Sequence, residues 1–231
     1  MAYNYSNNPR RVSESMYHAM QKAVPKCVAQ IALCNLGGGM FCETALNYCS
    51  GTLIEPIVLG GWNHYDLRIK CGDSPLCYDF SAVAKFLNKP EVRAKIGVPP
   101  SVRKWEECSR GVQIRFTKDW MHIFDQKLPD LLHAGIPVLV YVGDADYICN
   151  WRGNKAWALA LKWNQGEQFR QARDVSWNNK AGALRQVGPF SFLRVYEAGH
   201  MVPMDQPKVA LDMLNQFTSG ALKSNIPDDH E

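Results

Sequence analysis

The residues Ile136-Pro137-Val138-Leu139-Val140-Tyr141-Val142 form a nearly continuous apolar run that ends on Gly143-Asp144-Ala145-Asp146. Such a run is the mark of a strand buried on both faces of a parallel sheet. A second strand is legible at Phe190-Ser191-Phe192-Leu193-Arg194-Val195-Tyr196. Before the first strand, residues 119–134 read as a helix with Trp120, Ile123, Phe124, Leu128, Leu131 and Leu132 on one face, which Pro129 is expected to distort. After the second, Pro207 opens a closing helix with Val209, Ala210, Met213, Leu214 and Phe217 on one face. Helix, strand, helical connection, strand and final helix describe the end of an open α/β sheet.

The N-terminal half reads differently. Residues 11–33 suggest a helix, with Val12, Met16, Met20, Val24 and Val28 at four-residue intervals. Ser81 opens a helix through Phe86 and Leu87, Pro90 interrupts it, and Val92 to Ile96 form a second turn. The stretch from Cys49 to Cys77 reads as irregular. Eight cysteines punctuate the chain. Cys27, Cys34, Cys42 and Cys49 are spaced almost as mirror images, Cys71 and Cys77 follow, then Cys108 and Cys149. Neither Cys-x-x-Cys nor a His at ligand spacing occurs, which argues against zinc and for disulfides formed in an oxidising compartment. The glycosylation sequon Asn4-Tyr5-Ser6 agrees with that. The first twenty residues hold no signal-peptide apolar segment, so the chain is expected to begin at an internal Met.

Composition narrows the functions. An apolar share of 46% supports a buried core in one large or two small domains. The net charge of +4 is spread without an arginine-rich stripe, which argues against a nucleic-acid partner. No stretch approaches the roughly eighteen apolar residues of a membrane span.

Chemistry concentrates at two strand ends. Ligands of open α/β sheets sit beyond the C-terminal ends of the strands, where Asp146 and His200 fall. An Asp and then a His, each just past a strand, are the last two members of a Ser…Asp…His triad in the chain order of an α/β-hydrolase. Asp146 would accept the Nδ1 proton of His200 and fix its tautomer, while Asp144 is assigned to capping the helix that begins near Asn150. His18, His64, His122, His133 and His230 read as surface or core residues. The serine is missing: no Gly-x-Ser-x-Gly occurs, and Ser109 in Glu107-Cys108-Ser109-Arg110-Gly111 has only half of that turn and no apolar strand before it. Cys149 lies three residues after Asp146, an acidic neighbour that disfavours a thiolate, so it reads as a pocket wall.

Together these features resemble the serine carboxypeptidases of the yeast carboxypeptidase Y type. The likeness rests on Asn63-His64-Tyr65-Asp66-Leu67-Arg68, Cys71 and Cys77, on the block from Gly143 through Trp151 with Gly153-Asn154-Lys155-Ala156-Trp157, and on Gly199-His200-Met201-Val202-Pro203 with Asp205 and Pro207. The resemblance implies the C-terminal part of an α/β-hydrolase sheet (residues 116–222), a helical, disulfide-bonded cap insertion (1–115) and a tail (223–231). It makes Asp146 and His200 the triad's acid and base, and places Cys149, Ile148, Trp120 and Ile54 along the substrate pocket with Met201 beside the departing residue. It pairs Cys27 with Cys49, Cys34 with Cys42 and Cys71 with Cys77, and leaves Cys108 without its mate. It implies a peptide substrate with a hydrophobic C-terminal residue, no cofactor and no metal, and a vacuolar, lysosomal or secreted location for the complete protein. On this reading the chain lacks the nucleophile and oxyanion hole and is nearly inactive alone, unless a separate N-terminal chain carries the serine. The rival reading is an inactive pseudoenzyme or binding module derived from the same fold.

Overall fold

The mirror spacing of the first four cysteines becomes a helical hairpin. In the computed structural model, which describes residues 10–74 and 76–222, helix Glu14–Gly37 turns at Gly38 into helix Gly39–Cys49. Cysteines seven apart sit two turns apart on one helix face. Folding the second helix back on the first therefore joins the outer pair, Cys27–Cys49, and the inner pair, Cys34–Cys42. A third bond joins Cys71 to Cys77, and Cys108 and Cys149 are free thiols. The sequon and the tail from residue 223 lie outside the described residues.

The bonds also decide which face turns inward. Met16, Val24 and Val28 are exposed, whereas Met20, Ala23, Cys27 and Cys34 are buried. A strict four-residue row drifts by about 40° per step around a helix, so it cannot stay on one face. The expected row is corrected to one running through the cysteines. Residues 50–59 are also helical rather than irregular: a π-helical turn at Ser50–Ile54 runs into helix Glu55–Leu59.

Two compact units emerge. One holds residues 20–53 and 71–122, with the hairpin and the short helices Ser81–Leu87, Pro90–Lys95 and Arg110–Phe116. The other gathers residues 10–19, 54–70 and 123–222 around a sheet. The expected helix over 119–134 is not formed. Turns occupy 117–121, a 3-10 turn covers Asp125–Lys127, and only Leu128–His133 is α-helical. Pro129 falls in the first turn of that helix, where its missing N–H leaves no hydrogen bond unmade, so it starts a helix instead of distorting one.

Among the described residues the sheet has four strands: β1 (Val138–Gly143), β2 (Val175–Trp177), β3 (Gly182–Val187) and β4 (Phe190–Val195), in the order β1-β4-β3-β2. β1 and β4 are parallel, in register from Val138↔Phe190 to Gly143↔Val195. β4, β3 and β2 are antiparallel neighbours, so the sheet is mixed. β2 and β3 lie within what reads as a purely helical connection, which also holds helices Trp151–Ala160 and Gly166–Gln171. The strand buried on both faces is β4, flanked by β1 and β3, not β1. Among the described residues β1 is an edge strand, and its Tyr141 is 43% exposed.

Alternation along β4 divides the core. Leu193 and Val195 face one cluster with Leu184, Trp177, Ala210 and Met213, the last two from the closing helix Pro207–Thr218. Phe190 and Phe192 face the other with Leu132, Ala158, Leu161 and Phe169. Leu214, expected on the buried face of the closing helix, is exposed. No helix among the described residues is long and apolar enough to cross a membrane.

Candidate active site

The parallel pairing of β1 with β4 does more than build a sheet. It delivers the two chain exits to the same edge, and the ladder continues past both strands: Asp144 N–H donates to Val195 O at 2.9 Å and Ala145 N–H to Ala198 O at 2.8 Å. These bonds hold the loop carrying Asp146 against the turn carrying His200. The approach is so close that a Cβ on Gly143 would lie 2.1 Å from Gly199 O. One on Gly199 would lie 2.6 Å from Tyr65 O. Both positions require the absence of a side chain.

Asp146, almost fully buried, sets its Oδ2 2.9 Å from His200 Nδ1. The carboxylate accepts the Nδ1 proton, and Asp146 Oδ1 accepts the backbone N–H of Cys149 at 3.1 Å. The hydrogen bond to Asp146, followed by one involving Cys149, pushes the His200 pKa up to about 10 against the opposing effect of burial. Sγ of Cys149 lies within 4.8 Å of the ligating atoms of Asp146 and His200, so the thiol belongs to the same cluster.

A segment from elsewhere in the chain wedges beneath this pair. His64 O accepts the backbone N–H groups of Tyr147 and Ile148, Tyr65 O accepts that of His200 at 2.8 Å, and Leu67 N–H donates to Ala145 O. Arg68 grips Asp66 through both carboxylate oxygens and reaches Asp205 at 3.1 Å, which raises its pKa further. Asp205 in turn accepts the N–H of Gly199 at 2.6 Å. The block Asn63–Arg68 is thus the brace that fixes acid loop and base turn to each other. His64 is neither a plain surface nor a plain core residue: burial lowers its pKa while Asp146 and His200 act on it electrostatically, and its ring lies against that of Tyr65. The signal in the sequence was a dense polar run with no helical or strand periodicity, which loops use to hold function.

The other expected site residues are distributed as follows. Ile148 and Met201 are half-buried next to Cys149 and His200 in the chain, and Ile54 ends the π-helical turn. Trp120 lies in the disulfide-bonded unit, in the turns after Arg110–Phe116, and is exposed. Ser109 is the residue before that helix. Asp144 does not cap the helix Trp151–Ala160. Asn150 does so itself, its side chain accepting the N–H of Gly153 at 2.9 Å, whereas Asp144 is buried at the strand end 3.5 Å from Arg194. An Asp six residues upstream lacks the reach that the N-cap position has by construction.

A mixed α/β protein with a disulfide-bonded helical region and a buried carboxylate tied to an imidazole at the end of a parallel strand pair is therefore what the chain forms. It belongs to the serine carboxypeptidase family, whose model matches residues 2–220. A serine carboxypeptidase-like protein of Pisum sativum is 44% identical over 208 residues, covering 88% of this chain and 71% of its own length. Serine carboxypeptidase-like 47 of Arabidopsis thaliana is 40% identical over 226 residues, covering 96% of this chain and 44% of its own. Carboxypeptidase Y homolog A of Phaeosphaeria nodorum is 39% identical, covering 95% and 42%. The chain thus spans less than half the length of the last two relatives. The crystal structure of Kex1(Δ)p, a prohormone-processing carboxypeptidase from Saccharomyces cerevisiae, has the same fold over 91% of this chain and 49% of its own, with a TM-score of 0.68 at 24% identity.

Proposed function

We propose that this chain carries the acid and base of a serine-type carboxypeptidase, on the C-terminal part of an α/β-hydrolase sheet with its cap. The observation that carries the reading is the 2.9 Å contact between His200 Nδ1 and the buried Asp146 Oδ2. Held this way, the imidazole keeps one tautomer and offers Nε2 to a hydroxyl. The attacking serine belongs to polypeptide outside Met1–Glu231, since the sequence has no Gly-x-Ser-x-Gly. The serine adds to the last peptide carbonyl as His200 takes its proton. His200 then passes that proton to the departing amino acid, and Asp146 stabilises the imidazolium between the two transfers. Ile148, Cys149, Met201 and Ile54 supply apolar surface that favours hydrophobic C-terminal residues. The three disulfides and the likeness to carboxypeptidase Y homologues fit a vacuolar, lysosomal or secreted protein.

The alternative is an inactive binding module, in which the Asp146–His200 pair that raises the His200 pKa serves only as a structural ion pair. Turnover of an N-blocked dipeptide separates the readings. The chain alone is expected to give none, and mixing it with a polypeptide supplying a serine elbow and the missing strands is expected to restore organophosphate-sensitive hydrolysis that His200→Ala abolishes. Hydrolysis by the chain alone, or a stable two-chain complex that remains inactive, would overturn the proposal.

A further inference from the structure

A second feature of the sheet-bearing unit lies on the face of β4 that carries Phe192 and Arg194. Across the ladder Arg194 faces Ala183, and Ala183 faces Ser176. Two small side chains in this row leave space that longer ones would fill. Helix Trp151–Ala160 presents Trp151 and Lys155, one turn apart, to the same space. The result is a hollow of about 440 Å³, within the size range of small-molecule sites and lined by none of Asp146, Cys149 and His200.

Its walls carry charge as well as rings. Lys155, Lys180 and Arg194 line it against a single carboxylate, Asp174. That carboxylate is already engaged twice, by Lys155 and by Arg185 Nε at 2.7 Å. The guanidinium of Arg194 lies 4.0 Å from the Trp151 ring centroid and 5.1 Å from that of Tyr196, a stack that fixes its plane. Lys180 arrives from the β2–β3 turn, where Asn178, Asn179 and Lys180 hold φ of 46°, 54° and 67°. Left-handed backbone is costly at a lysine, whose side chain cannot bond back to its own turn as Asn can. Asn178 anchors the turn by donating to Asp212 Oδ2 at 3.1 Å.

We propose that this hollow binds a small organic acid with a flat apolar body, independently of the Asp146–His200 chemistry. The carboxylate sits among Lys180, Lys155 and the edge of Arg194, and the body lies over Phe192 and Ala183 beside Trp151. A bare phosphate would use the cations and leave the rings uncovered. A neutral arene would cover the rings and leave the Lys180 ammonium unused, Lys155 and Arg194 already facing Asp174 and Asp144.

Calorimetric titration of the full chain with 1-naphthoate, 1-naphthalenemethanol and inorganic phosphate tests each part. Saturable naphthoate binding is expected, with the alcohol and phosphate about tenfold weaker or more, as befits loss of a charge-assisted bond or of ring burial. Lys180→Glu, a change on an exposed turn, is expected to weaken naphthoate about tenfold by reversing one charge. Ala183→Leu is expected to block it by filling the floor, and Asp146→Ala to leave it unchanged. The inference is overturned by absent saturation, by equal affinity for either control compound, by a Lys180→Glu protein that binds naphthoate as before, or by loss of binding in Asp146→Ala.

Discussion

The two units solve the stability problem by different means. The helical unit buries little beyond Met20, Ala23, Ala45 and its cysteines, and leaves Leu36 87% and Met40 77% exposed. The sheet unit buries whole aromatic residues, Trp177, Phe169 and Phe190, on both sides of a central strand. A side chain of that size contributes about 1.5–3 kcal/mol when buried, so the sheet unit needs no crosslink. The helical unit has two covalent bonds across one hairpin. Where apolar burial is small, limiting the freedom of the unfolded chain takes over its role.

The sharpest way to break the contrast is to remove the crosslinks. Replacing Cys27 and Cys49 together with Ser is expected to destabilise the helical hairpin by about 2–5 kcal/mol. Amide exchange should then accelerate across 20–49 while β3 and β4 stay protected. Equal loss of protection in β4 would mean that the sheet unit depends on the bond. Next in size are the two crowded glycines. Gly143→Ala and Gly199→Ala each force a Cβ into backbone, with an expected cost of about 1–3 kcal/mol in chemical denaturation and a displaced His200 resonance. An unshifted His200 signal would show that the loops are not packed as described.

Smaller effects sharpen the picture at the dyad. Asp146→Asn is expected to bring the His200 titration, followed by NMR, from about 10 down towards its ordinary 6.5. Cys149→Ser should lower it less, since the thiol is the second cause and not the first. The sign for stability follows. A pKa raised on folding means that the contribution is complete below about 6.5 and is lost as pH rises through about 10. Denaturation midpoints should therefore fall between these values in the parent and stay flatter in Asp146→Asn. A parent with a flat profile over that window would remove the ion pair from the account.

Much of this site was legible one residue at a time. Asp146 and His200 stand out because each follows an apolar strand at a turn, and strand ends are where such sheets place their chemistry. The brace stood out as a dense polar block, but its task was not legible. Asn63–Arg68 works mainly through carbonyls, the Asp66–Arg68 pair and Asp205, and backbone acceptors leave no pattern in a sequence. Nor was the order of strands. β2 is three residues long, and β3 carries Arg185 and Gln186, so neither shows the apolar run that marks β4.

Local residue pattern marked the strand β4, the positions of Asp146 and His200 past their strands, and the cysteine spacing that a helical hairpin can close. Those features are local: periodicity, turn residues and equal intervals act over a few residues. Long-range packing set the inward face of the first helix along the cysteines, placed β3 and β2 beside β4, and paired Asp144 with Arg194 while Asn150 caps. Each of those outcomes depends on which distant segment occupies the neighbouring space, and that is fixed by packing between segments far apart in the chain.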